Sequence, residues 1–433
     1  MARTDHRSGA RRWRSGSVAA VVLAVVLAGC ASTTGGTGAA TSDTIPPAAF
    51  HDTTGLTSTT VSLGNVSTLI GGLFKGAAVG TQAYADYVNA SGGIDGRKLV
   101  VDSSDDGYSG PNNKQETEAA VSRDFAMVGS FSLQDNFGGQ ILAQNPSVPN
   151  VTVPLDQATN QLPNSFSPQP AAAGWQLGPL QYFKTMFPDK VTKTGVLIAN
   201  QPSSVEKWLG EKAAMDHLGY HVIYSDEFSI AQSDFNQNVI AMKDAGVRIL
   251  FLEEMPANYA SAVVKALTQQ DFHPVVVFGP STYNNTLIPA SGGAAATDGD
   301  YLQQADSLFL GGDASSIPAV KTFLTWVGRA DPGFSPDLFT LFGWMSAELF
   351  TQALKAAGPD PTRGSVLQAL RQIHSFNGGN IEATADPASK SPSTCYLIAQ
   401  VVNGQFQRLD DPPISGPTGG YRCDQPYYYA SGT

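Results

Sequence analysis

The sequence predicts an α/β protein made of two doubly wound parallel-sheet lobes joined by a hinge. Strand-like and helix-like segments alternate from about residue 60 onward, the rhythm that parallel sheets with crossover helices produce. A loop-rich stretch, 154–174, divides that rhythm into two runs. The chain has 433 residues, 42% hydrophobic and 15% charged, which supplies core for two or three domains at roughly 150 residues each.

The first strand is the apolar run 61–67, and the loop Gly71-Gly72-Leu73-Phe74-Lys75-Gly76 leads from it into a helix over 77–90. Ala78, Tyr84, Ala85 and Val88 recur there at helical spacing, and Ser91-Gly92-Gly93 ends the helix. A strand at 98–102, a helix at 113–124, a strand at 125–129 and a helix-like run at 134–143 complete the first series. In the second series, strands at 193–199, 221–227, 249–253 and 274–278 enclose helices at 206–219, 235–246 and 259–270. An apolar helix follows at 342–357.

Composition excludes several functions. Formal net charge is −11, and the first 29 residues hold Arg3, Arg7, Arg11, Arg12 and Arg14 against Asp5 alone, so residues 30–433 carry 21 basic and 36 acidic side chains. Such a surface repels polyphosphate, and no nucleic-acid partner is expected. Three widely spaced cysteines make no zinc cluster, and Gly219 breaks the helix between His217 and His221, so no metal site is expected. Gly71 and Gly76 have phosphate-loop spacing without the Lys-Ser/Thr that must follow. With no nucleophile elbow either, the chain reads as a non-enzyme without a cofactor. Asp105-Asp106-Gly107 reads as a turn, and Tyr427-Tyr428-Tyr429 as a packed terminal strand or a tail.

The apolar run 18–27 is too short to span a bilayer, which takes roughly 20 residues. Behind an Arg-rich start it reads as the core of a secretory signal. The following Leu27-Ala28-Gly29-Cys30 resembles a bacterial lipoprotein signal. That resemblance implies a signal peptide over 1–29, a lipid on Cys30 and attachment to the outer face of the bacterial cell membrane. Arg11-Arg12 leaves twin-arginine export open beside the general route. With Cys30 acylated, Cys395 and Cys423 remain as one disulfide pair in an oxidising compartment. The Ser/Thr/Gly/Pro-rich residues 30–59 are expected to be a flexible tether.

Tyr87-Val88-Asn89-Ala90-Ser91-Gly92-Gly93-Ile94-Asp95-Gly96-Arg97-Lys98-Leu99 resembles the N-x-x-G-G-I-x-G-[RK]-x-[IL] signature of Leu/Ile/Val-binding-protein-like receptors, the type 1 periplasmic binding proteins. Asp102, Asp105 and Asp106, then Val128-Gly129-Ser130-Phe131-Ser132, then Phe278-Gly279-Pro280 follow in that family's order. The likeness spans roughly 60–405 and implies lobes of discontinuous halves: 60–170 with 304–390, and 171–303 with 391–433. It also implies an interlobe ligand cleft, closure by hinge bending, and a monomer recognised by an ABC permease.

The resemblance places Ser130, Phe131 and Ser132 at a strand end where relatives hold a ligand carboxylate; helix capping alone would favour the same serines. In the second lobe the chain departs from the pattern. Relatives carry an ammonium-binding Glu after the counterpart of Pro280, where this chain has Ser281, Thr282 and Tyr283. Where an aromatic residue is common after Asn200, it has Gln201-Pro202-Ser203-Ser204. A buried ammonium needs an anion, so either Glu253 or Glu254 takes that role or the ligand is not an α-amino acid; a solvated hinge pair is the plainer reading of the two. Phe74, Phe131 and Tyr283 are the candidate aromatic walls. The expected solute is an amino acid, an amide or a small aromatic acid, and the expected role is that of the solute-binding lipoprotein of an ABC importer. A sensory receptor of the same fold, acting through a membrane partner, is the alternative.

Overall fold

A computed structural model describes residues 44–171, 174–253 and 255–429. The predicted signal peptide, Cys30 and Glu254 lie outside the described residues.

Five strands form the first sheet: β1 (Thr60–Ser67), β2 (Lys98–Asp105), β3 (Ala126–Val128), β4 (Asn150–Val151) and β5 (Ser165–Phe166). All pair in parallel, in the order β2-β1-β3-β4-β5. After the short β6 (Trp175–Gln176) come β7 (Thr194–Ala199), β8 (Val222–Phe228), β9 (Ile249–Leu252), β10 (Val275–Phe278) and β11 (Tyr301–Gln304). These last five are parallel neighbours in a second sheet, to which β12 (Leu397–Val402) and β13 (Gln405–Arg408) add antiparallel, in the order β13-β12-β11-β10-β9-β7-β8. The last strand, β14 (Tyr427–Tyr428), pairs antiparallel with β6. Ile249, Leu250, Phe251 and Leu252 of β9 are all fully buried, as a strand covered on both faces requires.

The signature loop has a backbone reason for its composition. Gly93 ends the helix Lys75–Ala90 at positive φ and donates its N–H to the Val88 carbonyl at 3.1 Å. Ile94 and Arg97 then exchange both main-chain hydrogen bonds across Asp95 and Gly96, at φ 48° and 79°. Two positive φ values in a two-residue turn favour Asp-Gly. Asn89 clamps the result by pairing the Leu99 N–H and carbonyl, each at 2.8 Å. The helices Lys75–Ala90 and Leu338–Ala356 touch backbone to backbone, since a Cβ at Gly80 would overlap the Thr340 carbonyl and one at Gly343 the Ala77 carbonyl.

The tether expectation needs correction. Residues 44–59 are folded, with a 3-10 helix at Pro47–His51, a fully buried Ala49 and a bridge from Leu56 to Val61. Arg363 explains why: it is 4% exposed, and Asp52 supplies the carboxylate it needs at 2.9 Å. A polar composition conceals that demand, because a buried guanidinium without an anion is costly.

Helices also start earlier than expected, with consequences for the site. Pro202 opens one helix at Pro202–Leu218, suiting the first position. Asp337 and Thr340 form a reciprocal cap that starts another at Leu338. Three segments join the sheets: one after β5, one after β11 and one before β12. Gln169 of the first donates its amide to Asp306 of the second and, at 2.8 Å, to Glu382 of the third. Both carboxyls are about 1% exposed, and burial pushes Asp306 up to about 7 and Glu382 well above its usual range.

Candidate ligand cleft

A cavity of about 380 Å3 opens between the two sheets, its floor including Gln303 and Gln304 of β11 with Gln169, Ala305 and Ala383 of the joining segments. Two hydrogen bonds cross its flanks: the Tyr108 hydroxyl to Gln201 Oε1 at 2.5 Å, and Asn285 to Ser335 Oγ at 3.2 Å.

The first-lobe wall is apolar. Phe74, Phe131, Phe339 and Phe342 form a ring cluster, with centroid separations of 4.6 Å for Phe74–Phe339, 4.8 Å for Phe131–Phe339, 4.9 Å for Phe74–Phe131 and 5.6 Å for Phe131–Phe342. Leu73, Leu133, Val153, Leu155 and Leu338 extend this wall. Phe339 lies outside the expected helix 342–357 and Phe342 at its start, and neither was expected in the cleft; the Asp337-x-x-Thr340 cap is the signal that starts this helix at Leu338.

The turn 130–132 makes several of its hydrogen bonds to the interior of its own lobe. Ser130 Oγ accepts the Val66 N–H at 3.0 Å, and the Phe131 N–H goes to Ser67 Oγ at 3.0 Å. Ser132 Oγ donates to the buried Asp106 carboxylate while accepting from Thr68 Oγ1 at 3.1 Å and the Gln134 N–H at 2.9 Å. Ser130 and Ser132 face a separate void of about 40 Å3, so only the Phe131 ring reaches the cleft. Against the expected carboxylate-holding turn, the Phe131 N–H and the Ser132 hydroxyl are given to interior acceptors and Ser130 Oγ accepts from the main chain.

The second-lobe wall is mixed and more polar. Ser203 and Ser204 stand in the first turn of the helix Pro202–Leu218 and line the cleft beside Gln201 and Lys207. Glu253 follows β9, is 3% exposed, and accepts the Gln303 amide at 2.5 Å. Ser281 reaches the cleft, but its hydroxyl is directed to the Glu253 and Met255 carbonyls at 2.8 and 2.9 Å. Tyr283 is a correction: it is buried away from the cleft, its ring against Phe309 and Phe406 and its oxygen accepting the Leu310 N–H at 3.1 Å. Trp175, Ile230, Met255, Tyr259 and Tyr427 supply the aromatic and apolar part of this wall instead. The sulfurs of Cys395 and Cys423 sit at disulfide distance, away from the cleft lining. Among the described residues no cluster of His, Cys, Asp and Glu could hold a metal.

The family model described as "Periplasmic binding protein" matches residues 61–405. The chain belongs to the periplasmic binding protein family. This is a solute-binding fold, not an enzyme family, and membership implies an extracytoplasmic location. Among curated proteins, the Leu/Ile/Val-binding protein homolog 1 of Brucella abortus is 24% identical over 318 residues, covering 69% of this chain and 77% of the relative. Among solved structures, a branched chain amino acid ABC transporter protein from Thermus thermophilus with bound valine aligns at TM-score 0.69 and 15% identity, over 82% of this chain and 96% of that one. A fatty acid ABC transporter substrate-binding protein from Thermomonospora curvata aligns at TM-score 0.66 and 16% identity, over 89% of this chain and 96% of that one. These structural likenesses establish the type 1 periplasmic binding protein fold.

Proposed function

We propose that this periplasmic binding protein is the solute-binding component of an ABC importer. It captures a small organic solute between its lobes and presents the closed form to a permease. The observation that carries this reading is a cleft lined from both lobes and floored by the three segments on which they would bend. Affinity comes from burial and a few placed polar groups, with the protein working as a monomer. A lipid on Cys30 would hold it at the outer face of the cell membrane, and the Cys395–Cys423 disulfide would form on export.

Solutes named for the relatives, branched-chain amino acids and fatty acids among them, are the first to try. The test is thermal-shift screening of the exported protein after unfolding and refolding has stripped any carried-over solute. A solute at 100 times its Kd stabilises by about 2.7 kcal/mol, and X-ray scattering should show the bound form to be more compact. Stabilisation without compaction would count against hinge capture. Mass spectrometry of the membrane-derived protein checks the lipid, and thiol alkylation before and after reduction checks the disulfide.

A further inference from the structure

The two walls of the cleft ask for different ends of a ligand. On the first lobe, Leu73, Phe74, Phe131, Leu133, Phe339 and Phe342 present hydrocarbon, while the polar groups of the adjoining turn are bonded into the interior. Hydrogen-bonding and charged groups gather across the gap, at Ser203, Ser204, Glu206, Lys207, Glu253 and Gln303. A zwitterionic α-amino acid with its charged groups laid on the Phe74–Phe131–Phe339–Phe342 rings would bury charge against ring carbons, which is costly. The cavity, about 380 Å3, falls within the roughly 300–1,000 Å3 that accommodates drug-sized ligands.

We propose that the solute is amphipathic, with an alkyl or aryl body seated on the Phe74–Phe131–Phe339–Phe342 wall and a single polar end turned to the second lobe. This rests on the solute-binding reading above and adds the class of solute to it. Shape complementarity between ring edges and a chain is loose, so affinity should track buried length more than chain geometry.

The test is calorimetric titration of the stripped, refolded protein with straight-chain solutes of four, six, eight and ten carbons, each as carboxylate, primary amide and amine, beside L-leucine and L-valine. With at least one head group, affinity should climb about fourfold per methylene until the cavity is full, and the amino acids should bind more weakly than its best member. Phe339→Leu should flatten that climb; it preserves an apolar side chain in the helix, and circular dichroism checks that the variant is folded. Leucine or valine binding more tightly than every chain, with no rise along any head-group series, would overturn the amphipathic assignment and leave solute capture standing. Heat from neither set, with no compaction in scattering, would overturn both.

Discussion

Two strand-end turns, one in each lobe, carry the residue types expected of a ligand site, and they behave in opposite ways. At residues 130–132 the hydroxyls and the Phe131 N–H point inward to Val66, Ser67 and Asp106, and a phenyl ring is what reaches the cleft. Past β9 the carboxylate of Glu253 reaches the cleft, and the nearby Ser281 hydroxyl serves only to pin the main chain of that loop. Gly279 permits the pinning, since a Cβ there would lie 2.6 Å from Glu253 Cα. A serine at a strand end thus identifies a ligand group only when no interior acceptor competes for it. Asp106 is that competitor in the first lobe; in the second, the Glu253 and Met255 carbonyls take the Ser281 hydrogen, while the buried Glu253 side chain, among the cleft-lining residues, accepts the Gln303 amide.

The largest expected effect breaks the first turn. Phe131→Ala removes the ring shared by three aromatic contacts and should cost about 3–5 kcal/mol in urea unfolding. A loss under about 1 kcal/mol would mean that the wall is not packed as described.

The hinge beneath both turns gives a pH dependence of similar size. Asp306 rises from 3.8 to about 7, because burial penalises its charge before the Gln169 amide partly compensates. The folded chain therefore binds more protons than the unfolded one between those values. Stability from this group is complete below about 3.8 and is lost as pH climbs through about 7, roughly 4 kcal/mol over the window at 1.4 kcal/mol per unit. Asp306→Asn should flatten that part of the profile and make the variant relatively more stable at pH 8, as denaturant titrations at several pH values would show.

Asp106→Ala sharpens the comparison of the turns. It deprives Ser132, Asn113 and the Tyr108 N–H of their acceptor and should destabilise by about 2–3 kcal/mol, whereas Ser281→Ala, at a half-exposed position, should cost about 1 kcal/mol or less. Equal losses in chemical denaturation would erase the distinction. The smallest effect belongs to the latch between the lobes. Tyr108→Phe loses the 2.5 Å bond to Gln201 and should favour opening by about 1 kcal/mol, read as a larger radius of gyration with unchanged unfolding of the first lobe.

Much of the fold was legible because its signals are local. Apolar period, helix caps and the Gly-Gly-Ile-Asp-Gly turn depend on residues within a few positions, so the alternating strands and helices, the parallel sheets and the family likeness could be read along the chain. The site was legible only in part. Phe131, Ser203, Ser204, Glu253 and Ser281 do reach the cleft, whereas Ser130, Ser132 and Tyr283 do not.

The sequence by itself determined the longer strands and helices of each series, their grouping into two runs and the loop that carries the family signature. Tertiary structure alone decided three other things. It assembled one aromatic wall from Phe74, Phe131, Phe339 and Phe342, joined Gln169, Asp306 and Glu382 into one hinge, and recruited Asp52 to Arg363. The reason is physical: chain geometry is set by neighbours in sequence, but a buried polar group or ring is satisfied by whatever the fold brings to it, hundreds of residues away or two.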